Sequence, residues 1–349
     1  MMKTAIYGIG SLGTIIGALL TKQGYEVDLI DPYSINVEAL KKNGARVTGN
    51  MDVHVAVKAF TPDELTDCYD LIILLTKQTT NQEEIPKLLP YLHEKSVICS
   101  LQNGIPEPSI AKIIGQNKTV GGVVGFGATW LSPGVSELTS TAEVVENFAF
   151  EIGEIDGQIT PRIQKIQQIL SLIGHTTILP NLMGIRWSKL LMNATFSGMS
   201  AALGCTFGEI LDNDRAMICL SYIADETVKV CHAAGYDMVE MNGINMGQLE
   251  LHSYQDIANK LPIYQKVWGV HRRSKASMLQ DLEKQRPCEI DFINGVVSQV
   301  GKSLGISTPF NDKVIELVKS AECRKEVNNF SYLSQFDELF NHVKAEVSV

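Results

Sequence analysis

The chain has 349 residues, 45% hydrophobic and 20% charged, a balance ordinary for a globular protein with room for two cores. A net charge of −9 with no basic stripe argues against a nucleic-acid binder, since phosphates are neutralised by clustered Lys and Arg. Seven scattered cysteines without a C-x-x-C pair fit reduced thiols in a cytoplasm better than disulfides or a metal site, and no apolar run of about 18 residues fits a membrane span.

In chain order, Thr4–Tyr7 reads as a strand, Gly8-Ile9-Gly10-Ser11-Leu12-Gly13 as a tight turn and 14–23 as a helix. In this G-x-G-x-x-G pattern Gly8 permits the turn, Gly10 lets a pyrophosphate approach the backbone, and Gly13 lets the helix pack close to the strand. The free N–H groups at the helix start, around Ser11 and Leu12, face the phosphates. The next strand, Val27–Ile30, ends in Asp31, where a dinucleotide-binding fold places the carboxylate for an adenosine ribose. No Arg or Lys follows until Lys41, and a carboxylate repels a 2′-phosphate, so NAD(H) is favoured over NADP(H). The alternative is that Asp31 only caps the turn after it.

Further strands are expected at 53–59, 71–75, 97–101 and 119–125, with helices at 37–43, 82–92 and 109–114. Short, fully apolar strands alternating with helices predict a parallel sheet covered on both faces, an α/β Rossmann-type domain. Residues 126–153 read as antiparallel strands extending that sheet. A helix at 161–174 and a strand at 176–179 close a first domain of residues 1–180. Beyond it strands vanish, and helical patterns at 182–203, 212–234, 256–267, 274–285, 289–304 and 310–321 predict an all-helical domain of residues 181–325. Residues 326–349 form a C-terminal extension.

In an open parallel sheet, ligands bind beyond the carboxyl ends of the strands. The expected strand ends deliver Lys77 in one loop and Gln102, Asn103 and Gly104 in another. The helix 182–203 is mostly apolar, yet Arg186, Lys189, Asn193, Ser197 and Ser200 share one face. Such a stripe is either a solvated helix face or one wall of a cleft. Ser277 lies near a helix start. Glu289 opens the next helix, where capping is the alternative to a functional role.

Together these segments resemble the ketopantoate reductase family, the 2-dehydropantoate 2-reductases. The resemblance is carried by the glycine turn, Lys77, Leu101-Gln-Asn103-Gly104, Trp187-Ser-Lys189-Leu-Leu-Met-Asn193, Ser277-Met-Leu-Gln-Asp281 and Glu289-Ile-Asp-Phe-Ile-Asn294-Gly295. It implies reduction of a 2-oxo acid by a nicotinamide cofactor, with Lys189 as general acid on the carbonyl oxygen. It implies further that Glu289 orients the substrate hydroxyl or the lysine, and that Asn103, Asn193, Ser197 and Ser277 hold the substrate. Lys77 and Asn103 would lie by the cofactor, and no metal is expected.

The chain departs from the family pattern at Ser197 and Ser274, where asparagine is frequent, and at Phe207, where a polar residue is frequent. A pocket that is less polar, or differently shaped, follows, which keeps two substrates open: 2-dehydropantoate, or a branched or aromatic 2-oxo acid reduced with NADH to a D-2-hydroxy acid. A dinucleotide sensor without catalysis is the remaining alternative. A homodimer is also open.

Overall fold

The computed structural model describes residues 2–241 and 243–340. The chain divides into two compact units, Met1–Leu182 and Met183–Val349. The final residues of the expected extension, 341–349, lie outside the described range.

The first unit opens with β1 (Thr4–Tyr7), α1 (Ser11–Lys22), β2 (Val27–Ile30), α2 (Ser34–Asn43), β3 (Ala45–Gly49), β4 (Val53–Val55) and β5 (Lys58–Phe60). It continues through β6 (Tyr69–Leu74), α3 (Asn81–Leu88), β7 (Leu92–Ser100), α4 (Glu107–Ile114) and β8 (Thr119–Val124). It ends with β9 (Ala128–Ser132), β10 (Val135–Leu138), α5 (Ala142–Phe148), β11 (Phe150–Glu154), α6 (Pro161–Leu170) and β12 (Thr176–Ile178).

The main sheet has the order β12-β11-β8-β7-β6-β1-β2-β5. From β5 to β8 neighbouring strands pair parallel, and β11 pairs antiparallel to β8. In the centre of the sheet, as at Leu71 to Leu74 and Val97 to Cys99, the strand residues are apolar and buried on both faces, as a sheet covered by helices requires.

Two expectations need correction. The single strand expected at 53–59 is two strands in different sheets, because residues 56 and 57 turn the chain from β4 into β5. Of the region 126–153, only β11 extends the main sheet. β9 and β10 join β3 and β4 in a second sheet of order β4-β3-β10-β9, and residues 142–148 are helical. The start of α5 is capped by Thr141, whose hydroxyl accepts from Val144 N at 3.4 Å.

This second sheet explains α1. A helix apolar on every side must be covered on every side. Gly13 to Leu20 are all buried, with the main sheet on one side and β3, β4, β9 and β10 on the other. Gly17 sets the close approach to the main sheet: a Cβ there would stand 2.5 Å from the Leu29 side chain.

The second unit is built mainly of helices. α7 (Leu182–Met192) runs through a π turn, Asn193–Ser197, into α8 (Gly198–Leu203), followed by α9 (Phe207–Leu211) and α10 (Asp214–Ala233). A short hairpin of β13 (Glu240–Met241) and β14 (Ile244–Asn245) corrects the expectation that strands vanish. Then come α11 (Asp256–Trp268), α12 (Ser277–Glu283), α13 (Asn294–Leu304) and α14 (Pro309–Arg324). Residues 326–340 pack onto this unit: Leu333 and Phe336 are buried, and Asn328 Nδ2 donates to Ala202 O at 2.9 Å. Among the described residues, no helix is long and apolar enough to cross a membrane.

α10 is the central helix, packed on the π turn, α9, α11, α13 and α14. Its buried Glu226 caps α14, accepting from Phe310 N at 2.8 Å, Asn311 N at 2.9 Å and Asn311 Nδ2 at 2.7 Å. Burial pushes the Glu226 carboxyl up to about 8, against the pull of those donors. The unfolded chain releases this proton in the ordinary carboxylate range, while the folded chain keeps it until about pH 8. The folded state therefore binds more protons throughout that window, and stability falls as pH rises through it. Denaturation midpoints from about pH 5 to about pH 9 check this. Wild type should lose stability relative to Glu226→Gln up to about pH 8 and run parallel above it, whereas parallel curves throughout would refute the linkage.

Candidate functional site

The first unit sets its site by strand order. From β1 the sheet grows through β2 on one side and β6 on the other, so the carboxyl end of β1 is a topological switch point. Gly8 follows β1 there with φ +99°, and a Cβ would stand 2.4 Å from Thr76 N in the loop after β6. Gly13 is equally constrained, its Cβ position lying 2.2 Å from Gly8 O. Gly10 differs: it is exposed, and no described atom lies within 4 Å of its Cβ position. Ser11 and Leu12 open α1 half-buried, and no side chain caps and no acid occupies its first turn. A loop with open space at Gly10 against an uncapped helix start fits a pyrophosphate.

Asp31 stands immediately beyond β2, 9% exposed. Its carboxylate accepts from Ile9 N at 2.8 Å, Tyr33 N at 2.8 Å and Asn36 Nδ2 at 3.1 Å. Burial raises its pKa, and these three bonds oppose the rise. Asp31 thus does cap the turn at Tyr33, and it also braces the glycine loop through Ile9.

Asn36 escaped the sequence reading. It is buried, donates to Ile9 O at 2.8 Å, and accepts from Gly134 N at 2.8 Å between β9 and β10. A lone Asn in a helical stretch carries no signal that separates it from a surface residue.

Lys77 is half-buried after β6, and Asn103 is exposed after β7. Their loops are tied together. Gln78 Nε2 donates to Asn103 O at 2.5 Å, and Gln102 and Asn81 exchange amide bonds of 2.7 and 3.0 Å. Gln102 also donates to Thr76 O at 2.7 Å, so this buried side chain braces the loops from within. The glycine turn, Lys77 and Asn103 thus share the carboxyl edge of β1, β6 and β7. A groove of about 700 Å³ lined by Met2, Tyr25, Lys95, Val97, Arg162 and Leu172 lies at the opposite, amino-terminal edge.

In the second unit the stripe on 182–203 separates into two kinds of residue. Among the described residues of that stretch, Lys189, Met192, Asn193 and Ser197 keep partial exposure and the others are buried. Arg186, 1% exposed, and Ser200, fully buried, do not belong to an open face. Ser200 Oγ donates to Cys205 O at 2.6 Å and accepts from Ala276 N at 3.3 Å, which brings the start of α12 to α8. For Ser200 the π turn causes the separation, because an extra residue in the turn shifts the face beyond it, whereas Arg186 precedes the turn on α7 and is buried there alongside Lys189.

Ser277 is exposed at the start of α12, which packs on α8 and the π turn. Glu289 is half-buried but does not open α13. It precedes a single 3₁₀ turn, Ile290–Phe292, with its carbonyl accepting from Phe292 N at 2.9 Å, and α13 begins at Asn294. Desolvation by burial and, second, the Lys189 ammonium lower the His271 imidazole.

Phe207 packs its ring 5.5 Å from that of Phe196 in the π turn, and Phe196 stacks on Trp268 at 4.6 Å. Tyr264 completes this aromatic cluster. Among the described residues, no group of three His, Cys, Asp or Glu side chains could hold a metal ion.

Comparison with known proteins adds to this geometry. Residues 4–149 match the family described as Ketopantoate reductase PanE/ApbA, and residues 181–322 match its C-terminal domain. A 2-dehydropantoate 2-reductase of Pyrococcus horikoshii is 30% identical over 325 residues, covering 92% of this chain and 98% of its own. One from Archaeoglobus fulgidus is 28% identical over 324 residues, with the same coverage. Among solved structures, D-mandelate dehydrogenase with NADH and anilino(oxo)acetate superposes with a TM-score of 0.79 at 25% identity, covering 93% of this chain and 99% of that one. The 2-dehydropantoate 2-reductase of Geobacter metallireducens gives a TM-score of 0.78 at 25% identity, covering 92% of this chain and all of that one.

Proposed function

The chain belongs to the ketopantoate reductase family of oxidoreductases, and on that premise we propose that it reduces 2-dehydropantoate to pantoate with a nicotinamide cofactor. The observation that carries the reading is the narrow, partly exposed line of Lys189, Asn193 and Ser197, which with Met192 is all that the stretch 182–203 leaves open. A cation and two small hydrogen-bonding groups, spaced four residues apart, suit a short polar acid.

The backbone of Gly8, Gly10, Ser11, Leu12 and Gly13 would hold the pyrophosphate, and Asp31 the adenosine ribose. Lys77 and Asn103 would meet the nicotinamide end. The nicotinamide, when bound, supplies the hydride. Lys189 donates a proton to the carbonyl oxygen as negative charge develops there. Glu289 orients the substrate hydroxyl or the ammonium, while Asn103, Asn193, Ser197 and Ser277 bind the polar groups that fix the ketone's orientation.

We assign NADH as the preferred cofactor. The support is a buried carboxylate at the end of β2 with no cation until Lys41, a setting hostile to a 2′-phosphate. A second reading is favoured by Phe207, the partly exposed ring of the aromatic cluster, which suits a branched or aryl 2-oxo acid and its D-2-hydroxy product.

Steady-state kinetics with NADH and NADPH against 2-dehydropantoate, branched and aryl 2-oxo acids test both readings. NADH should give the higher kcat/KM by roughly tenfold or more, about 1.4 kcal/mol of discrimination. A larger value with NADPH overturns the role of Asp31. A larger value for an aryl acid replaces the substrate.

A further inference from the structure

We propose that Asn294 is a positioning residue that holds the π turn 193–197 and thereby sets where Ser197 stands relative to Lys189 and Asn193. The link to substrate rests on the function proposed above; the link to the turn does not.

A π turn leaves backbone groups without their α-helical partners. Here Gly198 N–H reaches Asn193 O, five residues back, and also Thr195 O. In an α-helix that N–H would serve Ala194 O, four residues back. Ala194 O is therefore the displaced acceptor, and Asn294 Nδ2 donates to it at 2.9 Å. Thr195 Oγ1 occupies Leu191 O at 2.7 Å on the preceding turn. The side chain of Asn294 replaces the donor that the helix gave up.

Asn294 is itself held from behind. It is fully buried, and its Nδ2 also donates to Asn311 Oδ1 at 2.9 Å. Asn311 Nδ2 donates in turn to Glu226 Oε2 at 2.7 Å and Ile223 O at 3.3 Å. The network therefore anchors the π turn to α10, α13 and α14. Gly198 makes the room: a Cβ there would stand 2.7 Å from Asn294 Oδ1.

Without Asn294 the chain has a simple alternative. The turn closes to α, Gly198 N–H returns to Ala194 O, and one residue of register is lost. Ser197 then rotates about 100° relative to Lys189.

Asn294→Ala tests this by crystallography and by kinetics under saturating NADH. The crystal structure should show Gly198 N–H on Ala194 O. The KM for the 2-oxo acid that wild type turns over should rise roughly tenfold, with kcat within about threefold and the NADH Kd within about twofold. Gly198→Ala, which pushes on the same amide, should raise KM alone but add little in the Asn294→Ala background.

A π turn that persists in Asn294→Ala overturns the proposal whatever the substrate, as does a closed turn with unchanged KM. Equal cost of Gly198→Ala in both backgrounds also overturns it. Absence of turnover in wild type overturns the proposed function instead, and the crystal structure still decides the role of Asn294.

Discussion

Lys189→Ala should lower kcat for 2-oxo acid reduction by about 10² to 10⁴-fold, the usual contribution of a positioned general acid. The NADH Kd should stay within about twofold, because the proposed cofactor groups all lie in the other unit. Lys189 stands half-exposed on α7 while Ile185 and Leu190 are buried in the same helix. Truncating it therefore removes a proton donor without opening the core. Lys189→Arg should not restore the rate, since a guanidinium keeps its charge and does not release a proton at neutral pH. A Lys189→Ala enzyme within about tenfold of wild type removes Lys189 from the chemistry. Tight NADH binding by a wild-type protein with no turnover on any 2-oxo acid would identify a dinucleotide sensor.

Gly10→Ala should weaken NADH binding by roughly tenfold or more while leaving the fold intact. Gly10 has a negative φ and open space around its Cβ position, so a methyl group meets nothing in the described chain. It meets the pyrophosphate instead. Gly13→Ala is the contrast: its Cβ would press on Gly8 O at 2.2 Å, so that variant should lose stability and binding together. Calorimetric titration with NADH and a thermal melt of both variants read the difference. Wild-type affinity in Gly10→Ala would place the cofactor somewhere other than this loop.

The main sheet was readable because its strands are buried on both faces, which leaves uninterrupted apolar runs such as Leu71 to Leu74. The second sheet was not. β3 and β4 are short and alternate in burial, and β3 pairs with β10 almost ninety residues away. Residues 142–148 fell inside the stretch expected as antiparallel strands, although Thr141 followed by Glu143 marks a helix start. Lys189, Asn193 and Ser197 were legible as one face from their spacing alone. Separating Ser200 from them needed the π turn, and no hydrophobic period announces one inserted residue; Arg186 shares α7 with Lys189, and its burial is not readable from spacing. Glu289 was displaced from its expected helix for a related reason: the 3₁₀ turn after it uses up residues that the periodic pattern assigned to α13.

The cover over α1 has a consequence during synthesis. α1 ends at Lys22, but the last strand of the sheet that closes its second side ends at Leu138. At roughly 5–20 residues per second, a nascent chain carries this helix with one apolar side unsatisfied for roughly ten seconds. Over that interval Asn36, which donates to Ile9 O in the glycine turn, also lacks its other partner, Gly134 N. A segment made well before β10 is thus finished only after it, and it is the stretch on which a ribosome-associated chaperone should bind this protein.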